Sequence, residues 1–208
     1  MFQKLIARQL AKPSGLVGRT FTARWLNRAN ARMNQLTLAQ LAISPQDSIL
    51  EVGFGGGDLL EQILRAGPPA LLAGLDISPD MVQLANRRLQ RRVSDTKFEV
   101  RCGDIENILY ATGQFNKLCS VNTIYFWRNP AAALAECRRV LQTGGQILLC
   151  FNSREDLETW PIHRHGFRLY DVAEVEALLR AAGFENIQVT SANDEEQGLY
   201  YCVQAVAV

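Results

Sequence analysis

A glycine-rich segment that follows an acidic residue is the part of this sequence best suited to bind a ligand. It reads EVGFGGGD from Glu51 to Asp58. A short apolar run precedes the glycines and apolar residues at helical spacing follow them, so the pattern predicts a strand, a glycine loop and a helix. Glycines at such a junction allow positive φ and remove the Cβ atoms that would keep a ligand away, and the N–H groups that open the helix face the same space. We therefore expect a ligand to lie against this loop.

The spacing within the loop bears on the charge of that ligand. A dinucleotide-binding G-x-G-x-x-G motif counted from Gly53 would place its third glycine at Asp58, where a carboxylate would repel a diphosphate. The other spacing, E-x-G-x-G-x-G, is formed by Glu51, Gly53, Gly55 and Gly57. It resembles motif I of the class I S-adenosylmethionine-dependent methyltransferases, whose ligand carries a sulfonium and an ammonium group but no phosphate. A tight strand-to-helix turn without a ligand is the alternative.

Two further acidic residues stand where predicted strands end. Asp76 lies 23 residues after Gly53, and a carboxylate there can accept hydrogen bonds from both hydroxyls of a ribose. Asp104 follows the next strand and could accept the exocyclic amine of adenine, with Ile77 or Ile105 against the face of the base. Because ligands of a doubly wound sheet bind outside the carboxyl ends of the strands, these side chains are expected to meet in one crevice.

Five motifs in register extend the resemblance over most of the chain. They are the glycine loop, GLDIS from Gly74, GDI from Gly103, VLQTGG from Val140 and AAGF from Ala181. They occur in the order found in small-molecule methyltransferases of the ubiquinone and menaquinone biosynthesis type. The resemblance implies a Rossmann-like, doubly wound α/β fold with seven strands in the order 3-2-1-4-5-7-6, the last strand antiparallel, and an N-terminal helical cap over the cofactor.

The resemblance also implies the cofactor and its contacts. The cofactor would be S-adenosyl-L-methionine, released as S-adenosyl-L-homocysteine, with Asp76 at the ribose, Asp104 at the adenine and the loop backbone at the methionine moiety. The predicted cofactor-binding residues are Glu51, Gly53, Phe54, Gly55, Gly57, Asp76, Ile77, Asp104, Ile105 and Asn122. No metal is predicted.

The residues at the end of the fourth predicted strand indicate which kind of acceptor is methylated. Relatives that methylate nitrogen often carry an acidic residue near the place of Asn122, so its amide argues against an amino-group substrate. Tyr125, Phe126 and Trp127 follow, and they could form an apolar wall or a cation–π face for the sulfonium, or serve as core packing. The predicted acceptor is a small apolar or aromatic molecule.

A catalytic base is optional for this reaction. Methyl transfer from a sulfonium displaces a neutral leaving group, so the main task is to hold nucleophile and methyl carbon in line. His163 and His165, the two histidines of the chain, could take a proton from a phenol or enol, with Tyr125 as a further weak candidate. A surface loop and a metal site are the alternatives for the histidine pair, although no third ligand suggests itself.

Alternating strand and helix patterns begin at Asp47. The predicted strands cover about 48–52, 70–76, 97–102, 116–122, 146–151, 184–190 and 199–208. The predicted helices cover about 2–11, 20–42, 57–65, 79–92, 130–141 and 171–183. We therefore predict a basic helical cap over 1–46 and one cofactor-binding methyltransferase domain over 47–208.

The charge is unevenly distributed along the chain. Residues 1–46 carry seven basic and no acidic residues, while the whole chain has a net charge of +1. Arg24, Arg28 and Arg32 are spaced to share one helix face, opposite an apolar stripe of Leu26, Ala29, Met33 and Leu36. The basic region could be a solvated face, bind an anionic substrate, or contact a membrane surface or acidic partner through residues 1–32. The first dozen residues could also be a transit peptide. No nucleic-acid partner is expected.

Composition restricts the remaining choices. Five scattered cysteines without a C-x-x-C pair predict reduced core thiols and a cytoplasmic protein. Three other functions remain open at this stage: an NAD-dependent oxidoreductase, an aminopropyltransferase using decarboxylated S-adenosylmethionine, and a non-catalytic adaptor whose basic helices bind an acidic surface. Asp58 disfavours the first, and Leu59 and Leu60 replace the small residues expected for the second.

Overall fold

The chain forms a seven-stranded sheet with helices on both faces. The computed structural model describes residues 2–15, 28–90, 97–194 and 198–208. Residues 20–27 of the helix predicted over 20–42, with Arg24 and Leu26, therefore lie outside the described residues. The strands are β1 Ser48–Val52, β2 Leu71–Asp76, β3 Phe98–Cys102, β4 Phe115–Val121, β5 Leu141–Asn152, β6 Phe184–Asp194 and β7 Gly198–Ala207. The helices are α1 Phe2–Ala11, α2 Ala31–Leu41, α3 Asp58–Ala66, α4 Pro79–Gln90, α5 Pro130–Val140, α6 Arg154–Glu158 and α7 Val172–Ala181. Short 3₁₀ turns cover Ile105–Asn107, Ile124–Phe126 and Pro161–Arg164.

The strand order is β3-β2-β1-β4-β5-β7-β6, which confirms the prediction. β1 to β5 pair in parallel, and β7 pairs antiparallel with both β5 and β6. The order reverses between β1 and β4, so the crevice for a ligand lies beyond the carboxyl ends of these two strands.

Both faces of the sheet are covered by apolar side chains. Along β5, Ile147, Leu149 and Phe151 face the layer that contains α5 and α7, while Leu148 and Cys150 face the layer that contains α2, α3 and α4. This alternation has the two-residue period of a strand, and burial on both faces explains why the strand reads as a continuous apolar run.

The predicted helix starts are supported by caps. Ser78 Oγ accepts a hydrogen bond from the Met81 N–H at 3.3 Å, and Asn129 Oδ1 accepts one from the Ala132 N–H at 3.2 Å. Asp171 and Glu174 form a capping box at the start of α7. These bonds satisfy backbone donors that the first helical turn leaves without partners.

Three local predictions were wrong. The glycine turn before β5 is a bulge inside the strand, because Phe115 pairs with Leu141 but Lys117 pairs with Gln146. Cys102 is an exposed thiol at the end of β3, whereas the other four cysteines are buried. The loop after β5 contains α6 and the 3₁₀ turn Pro161–Arg164, neither of which was predicted.

The buried face of α2 also differs from the predicted stripe. Its buried residues are Met33, Asn34, Thr37 and Leu41, and Ala29 and Leu36 are only partly buried. Asn34, one of the two polar members of this face, meets a polar partner, since its Nδ2 donates to Asp58 Oδ2 at 3.3 Å. Among the described helices, none is long and apolar enough to cross a bilayer.

Candidate active site

A cavity of about 300 Å³ opens at the carboxyl ends of β1, β2, β3 and β4. This volume is at the lower end of the range for small-molecule sites. The predicted site residues that line it are Glu51, Gly53, Phe54, Gly55, Asp76, Ile77, Asp104, Ile105, Asn122 and Tyr125. Gly57, His163 and His165 were also predicted to take part but do not line it.

The glycine loop is shaped by close contacts that a side chain would disturb. A Cβ atom on Gly53 would lie 2.3 Å from Thr123 Cγ2, whereas one on Gly55 would meet no atom within 4 Å. Both residues have positive φ, at 74° and 52°. A Cβ on Gly57 would lie 2.9 Å from Ala85 Cβ on α4. Gly53 and Gly55 therefore shape the cavity, while Gly57 allows α3 and α4 to pack.

Glu51 points into this cavity as a buried carboxyl group. Its Oε2 atom has no hydrogen-bond partner among the described residues. Burial raises the pKa of Glu51 to about 8, and the negative charges of Asp58 and Asp76 add to the rise. Glu51 is therefore protonated at neutral pH, and a ligand cation beside it would favour its ionised form.

Asp76 is held by the backbone around it. Its Oδ2 accepts a hydrogen bond from the Gly55 N–H and its Oδ1 one from the Ser78 N–H, each at 2.8 Å. Burial raises the pKa of Asp76, and these two bonds and the charge of Lys12 act against the rise. Each oxygen keeps a further lone pair for a ligand hydroxyl, so the carboxylate is oriented before any ligand arrives.

Asp104 lies at the mouth of the cavity. Its Oδ1 accepts the Glu106 N–H at 3.1 Å, and its Oδ2 accepts Nη2 of Arg128 at 2.7 Å. The Arg128 side chain is 76% exposed. Ile77 is half-exposed and Ile105 is buried, and both line the cavity.

Amide side chains and a phenol form a hydrogen-bonded cluster at the end of β4. The Tyr125 hydroxyl donates to Asn122 Oδ1 at 2.9 Å, and Asn122 Nδ2 donates to Asn30 Oδ1 at 2.7 Å. The Asn152 N–H donates to the Tyr125 oxygen at 2.5 Å. Burial raises the pKa of Tyr125 well above its ordinary value, so this group keeps its proton and is a donor rather than a base.

Aromatic side chains form the wall next to this cluster. The Phe126 and Phe167 ring centroids lie 4.7 Å apart, and the Tyr125 ring stacks on Phe167 at 6.0 Å. Trp127 and Trp160 also line the cavity. The predicted aromatic run thus faces the cavity, and the loop after β5 adds two rings that were not predicted.

The two histidines lie in that same loop but outside the cavity lining. His163 is half-buried, with Nδ1 2.8 Å from the Trp160 carbonyl oxygen, and His165 is exposed. The residues that sequence reasoning missed are Asn30, Asn34, Asn152, Trp160 and Phe167. The one sequence signal for these residues was the pair Asn30 and Asn34. Both are polar and lie close to Met33 in a predicted helix that was expected to bury only apolar side chains.

The end of α1 covers part of the cavity. Leu10, Lys12 and Pro13 line it, and the Pro13 carbonyl oxygen accepts the Ser78 hydroxyl at 2.5 Å. The Gly15 N–H donates to Asp80 Oδ2 at 2.7 Å. The N-terminal segment is thereby fixed to the residues that follow Asp76.

These features suit a cationic ligand without phosphate. Glu51, Asp58 and Asp76 all line the cavity, and Glu51 carries an oxygen without a partner. The open space beside Gly55 leaves room for a ligand against the backbone. A sulfonium or ammonium group would be attracted to these carboxylates, whereas a diphosphate would be repelled.

Comparison with known proteins agrees with this chemistry. Residues 50–149 match the family model described as "Methyltransferase domain". The chain is 32% identical over 164 residues to the uncharacterized methyltransferase YdaC of Bacillus subtilis, a match that covers 79% of this chain and 86% of YdaC. The chain belongs to the class I S-adenosylmethionine-dependent methyltransferases. The methyltransferase is also 33% identical to the malonyl-(acyl-carrier protein) O-methyltransferase of Herminiimonas arsenicoxydans, covering 76% of this chain and 58% of that protein.

A solved structure shares the fold of the methyltransferase. That structure is a complex between the Haloferax volcanii Trm112 methyltransferase activator and another methyltransferase. The TM-score is 0.81, with 17% identity, and the match covers 99% of this chain and 97% of that one. This likeness confirms the predicted fold, while the family model and the match to YdaC confirm the predicted family, enzyme class and cofactor, S-adenosylmethionine.

Proposed function

We propose that the enzyme methylates a small apolar or aromatic acceptor that binds between the aromatic wall and the amide cluster. The observation that carries this proposal is the contrast within the cavity. The carboxylates that line it stand at or just after the carboxyl ends of β1, β2 and β3. The part after β4 and β5 is lined mainly by rings and uncharged amides, and its one charged lining residue among those described, Arg128, is paired with Asp104. A neutral ring would lose less hydration there than a charged amine would.

Binding of the cofactor follows from the same contrast. In the proposed arrangement Asp76 accepts the ribose hydroxyls, Asp104 accepts the adenine amine, and Ile77 and Ile105 contact the base. The backbone of the glycine loop and Glu51 lie at the methionine moiety. We propose residues 1–46 as the cap and 47–208 as the catalytic domain, and the buried reduced cysteines support a cytoplasmic location.

The chain's contribution to the reaction is orientation and exclusion of water. The bound cofactor supplies a methyl group on a sulfonium, with a neutral thioether as leaving group. Phe126 and Phe167 would hold a ring of the acceptor, and Tyr125 and Asn122 would orient its polar atom by hydrogen bonds. Tyr125 stays protonated and removes no proton. A role for His163 or His165 as base stays a prediction.

Two experiments test the proposal. Calorimetric titration is expected to show binding of S-adenosylmethionine and S-adenosylhomocysteine but not of NAD. A screen that measures S-adenosylhomocysteine release with quinols, phenols, carboxylates and amines is expected to select an aromatic hydroxyl compound. Turnover of amines or carboxylates alone would contradict the proposed acceptor while leaving the enzyme class intact.

A further inference from the structure

Helix α1 has two different faces. Ala7 is buried, Ile6 and Leu10 are partly buried, and the helix packs against the turn Pro161–Arg164. The opposite side carries Lys4, Leu5 and Arg8, all exposed. At 100° per residue these three positions fall within an arc of about 100°. We name these three residues the outer face of α1.

The outer face is basic and carries one apolar side chain. Leu5 is 57% exposed, and none of the described carboxylates forms an ion pair with Lys4 or Arg8. No acidic residue occurs in the first 46 positions of the sequence. Two cations without anionic partners beside an exposed leucine are typical of a helix that lies on a lipid surface.

The position of α1 connects this face to the cavity. The carboxyl end of α1 lines the cavity through Leu10 and Ala11, and the buried side of the helix contacts the turn Pro161–Arg164, where Arg164 is exposed. A surface that binds the outer face of α1 would therefore lie close to the cavity mouth. An apolar acceptor dissolved in that surface would have a short path to the aromatic wall.

We propose that the outer face of α1 binds an anionic lipid bilayer and turns the cavity mouth toward it. The charge complementarity is between Lys4 and Arg8 and the lipid phosphates, and Leu5 inserts among the acyl chains. A protein partner fits less well, because a stable protein interface takes about 800 Å² from each side. The outer face of a 10-residue helix, about 15 Å long and 10 Å wide, is much smaller.

Vesicle sedimentation with the full chain tests this proposal. Vesicles of phosphatidylcholine alone are compared with vesicles of phosphatidylcholine and phosphatidylglycerol in equal amounts. The protein is expected to sediment only with the mixed vesicles, and added salt is expected to release it. The double variant Lys4→Ala, Arg8→Ala should lose about 25-fold in partitioning, since each basic residue near the surface contributes about fivefold.

A matched variant removes the same charge from the other end of the sheet. Arg87 on α4 and Lys97 before β3 are exposed and lie toward the amino ends of the parallel strands, away from the cavity. The double variant Arg87→Ala, Lys97→Ala is expected to bind mixed vesicles as the parent does. Affinity for S-adenosylmethionine without vesicles, which should stay unchanged in both, shows that the variants are folded.

Several results would overturn the proposal. These are absence of sedimentation with mixed vesicles, equal binding to both vesicle types, and an equal loss in the two double variants. Binding of soluble polyglutamate that is as tight as binding to mixed vesicles would instead assign the face to an acidic protein. None of these readouts needs an acceptor, so they are independent of the proposed reaction.

Discussion

The two halves of the cavity are lined by different kinds of side chain. The half after β1, β2 and β3, which we call the donor half, contains every carboxylate among the described lining residues: Glu51, Asp58, Asp76, Asp104 and Glu106. The half after β4 and β5, the acceptor half, contains aromatic rings and neutral amides, with Arg128 as its one charged residue among those described. The donor half is made of residues at or just after the ends of three strands, whereas the acceptor half combines α2, the β4 turn and the loop after β5. In the proposed arrangement, carboxylates at the cofactor are thus separated along the sheet from rings and amides at the acceptor.

Replacing the buried carboxyl group of the donor half is expected to have the largest effect. Because the folded chain keeps Glu51 protonated up to about pH 8 while the usual pKa is 4.5, the unfolded chain loses a proton that the folded chain retains. Glu51 therefore costs the folded chain no stability below pH 4.5, and the free energy of unfolding falls as the pH rises from there toward about 8. Glu51→Gln should remove this loss, so its advantage in free energy of unfolding should grow with pH to about 4 kcal/mol.

Urea unfolding between about pH 5 and about pH 8 measures this difference. Glu158→Gln, which changes an exposed carboxyl group, serves as the control and should parallel the parent. A constant difference between Glu51→Gln and the parent over this range would show that Glu51 is ionised in the folded chain.

Removal of the Asp76 carboxylate should come next. Asp76→Ala would lose the two charged hydrogen bonds proposed to the ribose as well as the acceptor of the Gly55 N–H, so affinity for S-adenosylmethionine should fall about 100-fold or more. Calorimetry measures the dissociation constant, and a thermal melt checks the fold. Glu185→Ala, at an exposed position on edge strand β6, should bind as the parent does. Equal affinities of the two variants would remove Asp76 from the proposed site.

A substitution in the acceptor half should change kcat/KM for the acceptor rather than the affinity for the cofactor. Phe167→Ala removes ring contacts with Tyr125 and Phe126, so kcat/KM for an aromatic acceptor should fall about tenfold. Affinity for S-adenosylmethionine should not change. Tyr201→Ala, which removes a partly buried ring outside the cavity lining, is the matched control. A shared loss of cofactor affinity in Phe167→Ala would mean that the two halves are not separate.

The smallest effect is expected where the N-terminal segment joins the donor half. Asp80→Ala removes the acceptor of the Gly15 N–H, an exposed hydrogen bond of about 1 kcal/mol. Affinity for S-adenosylmethionine should fall about threefold to fivefold if this bond holds the end of α1 over the cavity. Titration calorimetry resolves such a change. An unchanged affinity would show that α1 keeps its place without this bond.

The donor half could be predicted from the sequence because its contacts are local. Glu51 lies near the end of β1, the loop glycines follow that strand directly, and Asp76 ends β2, so strand, turn and helix patterns are enough to bring them together. The strand order was predicted through the resemblance, and the apolar runs reflect a sheet that is buried on both faces. The bulge inside β5 was missed because its glycines are equally typical of a turn that ends a helix.

The acceptor half could be predicted only in part because its residues meet through packing. Tyr125, Phe126 and Trp127 lie next to a strand end and were therefore suspected. Phe167 is about 40 positions later in the sequence, and Asn30 comes from a helix packed on the far side of the crevice. The histidines were attractive for their chemistry, but the same loop turns Trp160 and Phe167 to the cavity instead.

One contact joins the two halves at their boundary. Thr123 stands at the start of the turn that carries the aromatic wall, and its methyl carbon occupies the space where a Cβ on Gly53 would lie. The nearby Ser120 hydroxyl donates to the Val52 carbonyl oxygen at 2.9 Å, which ties the same two strands. Any side chain at position 53 would clash with Thr123 and, in the proposed arrangement, would push the wall outward and lengthen the path of the transferred methyl group. In that arrangement, the absence of a Cβ atom at Gly53 helps to set the distance between the cofactor and the acceptor.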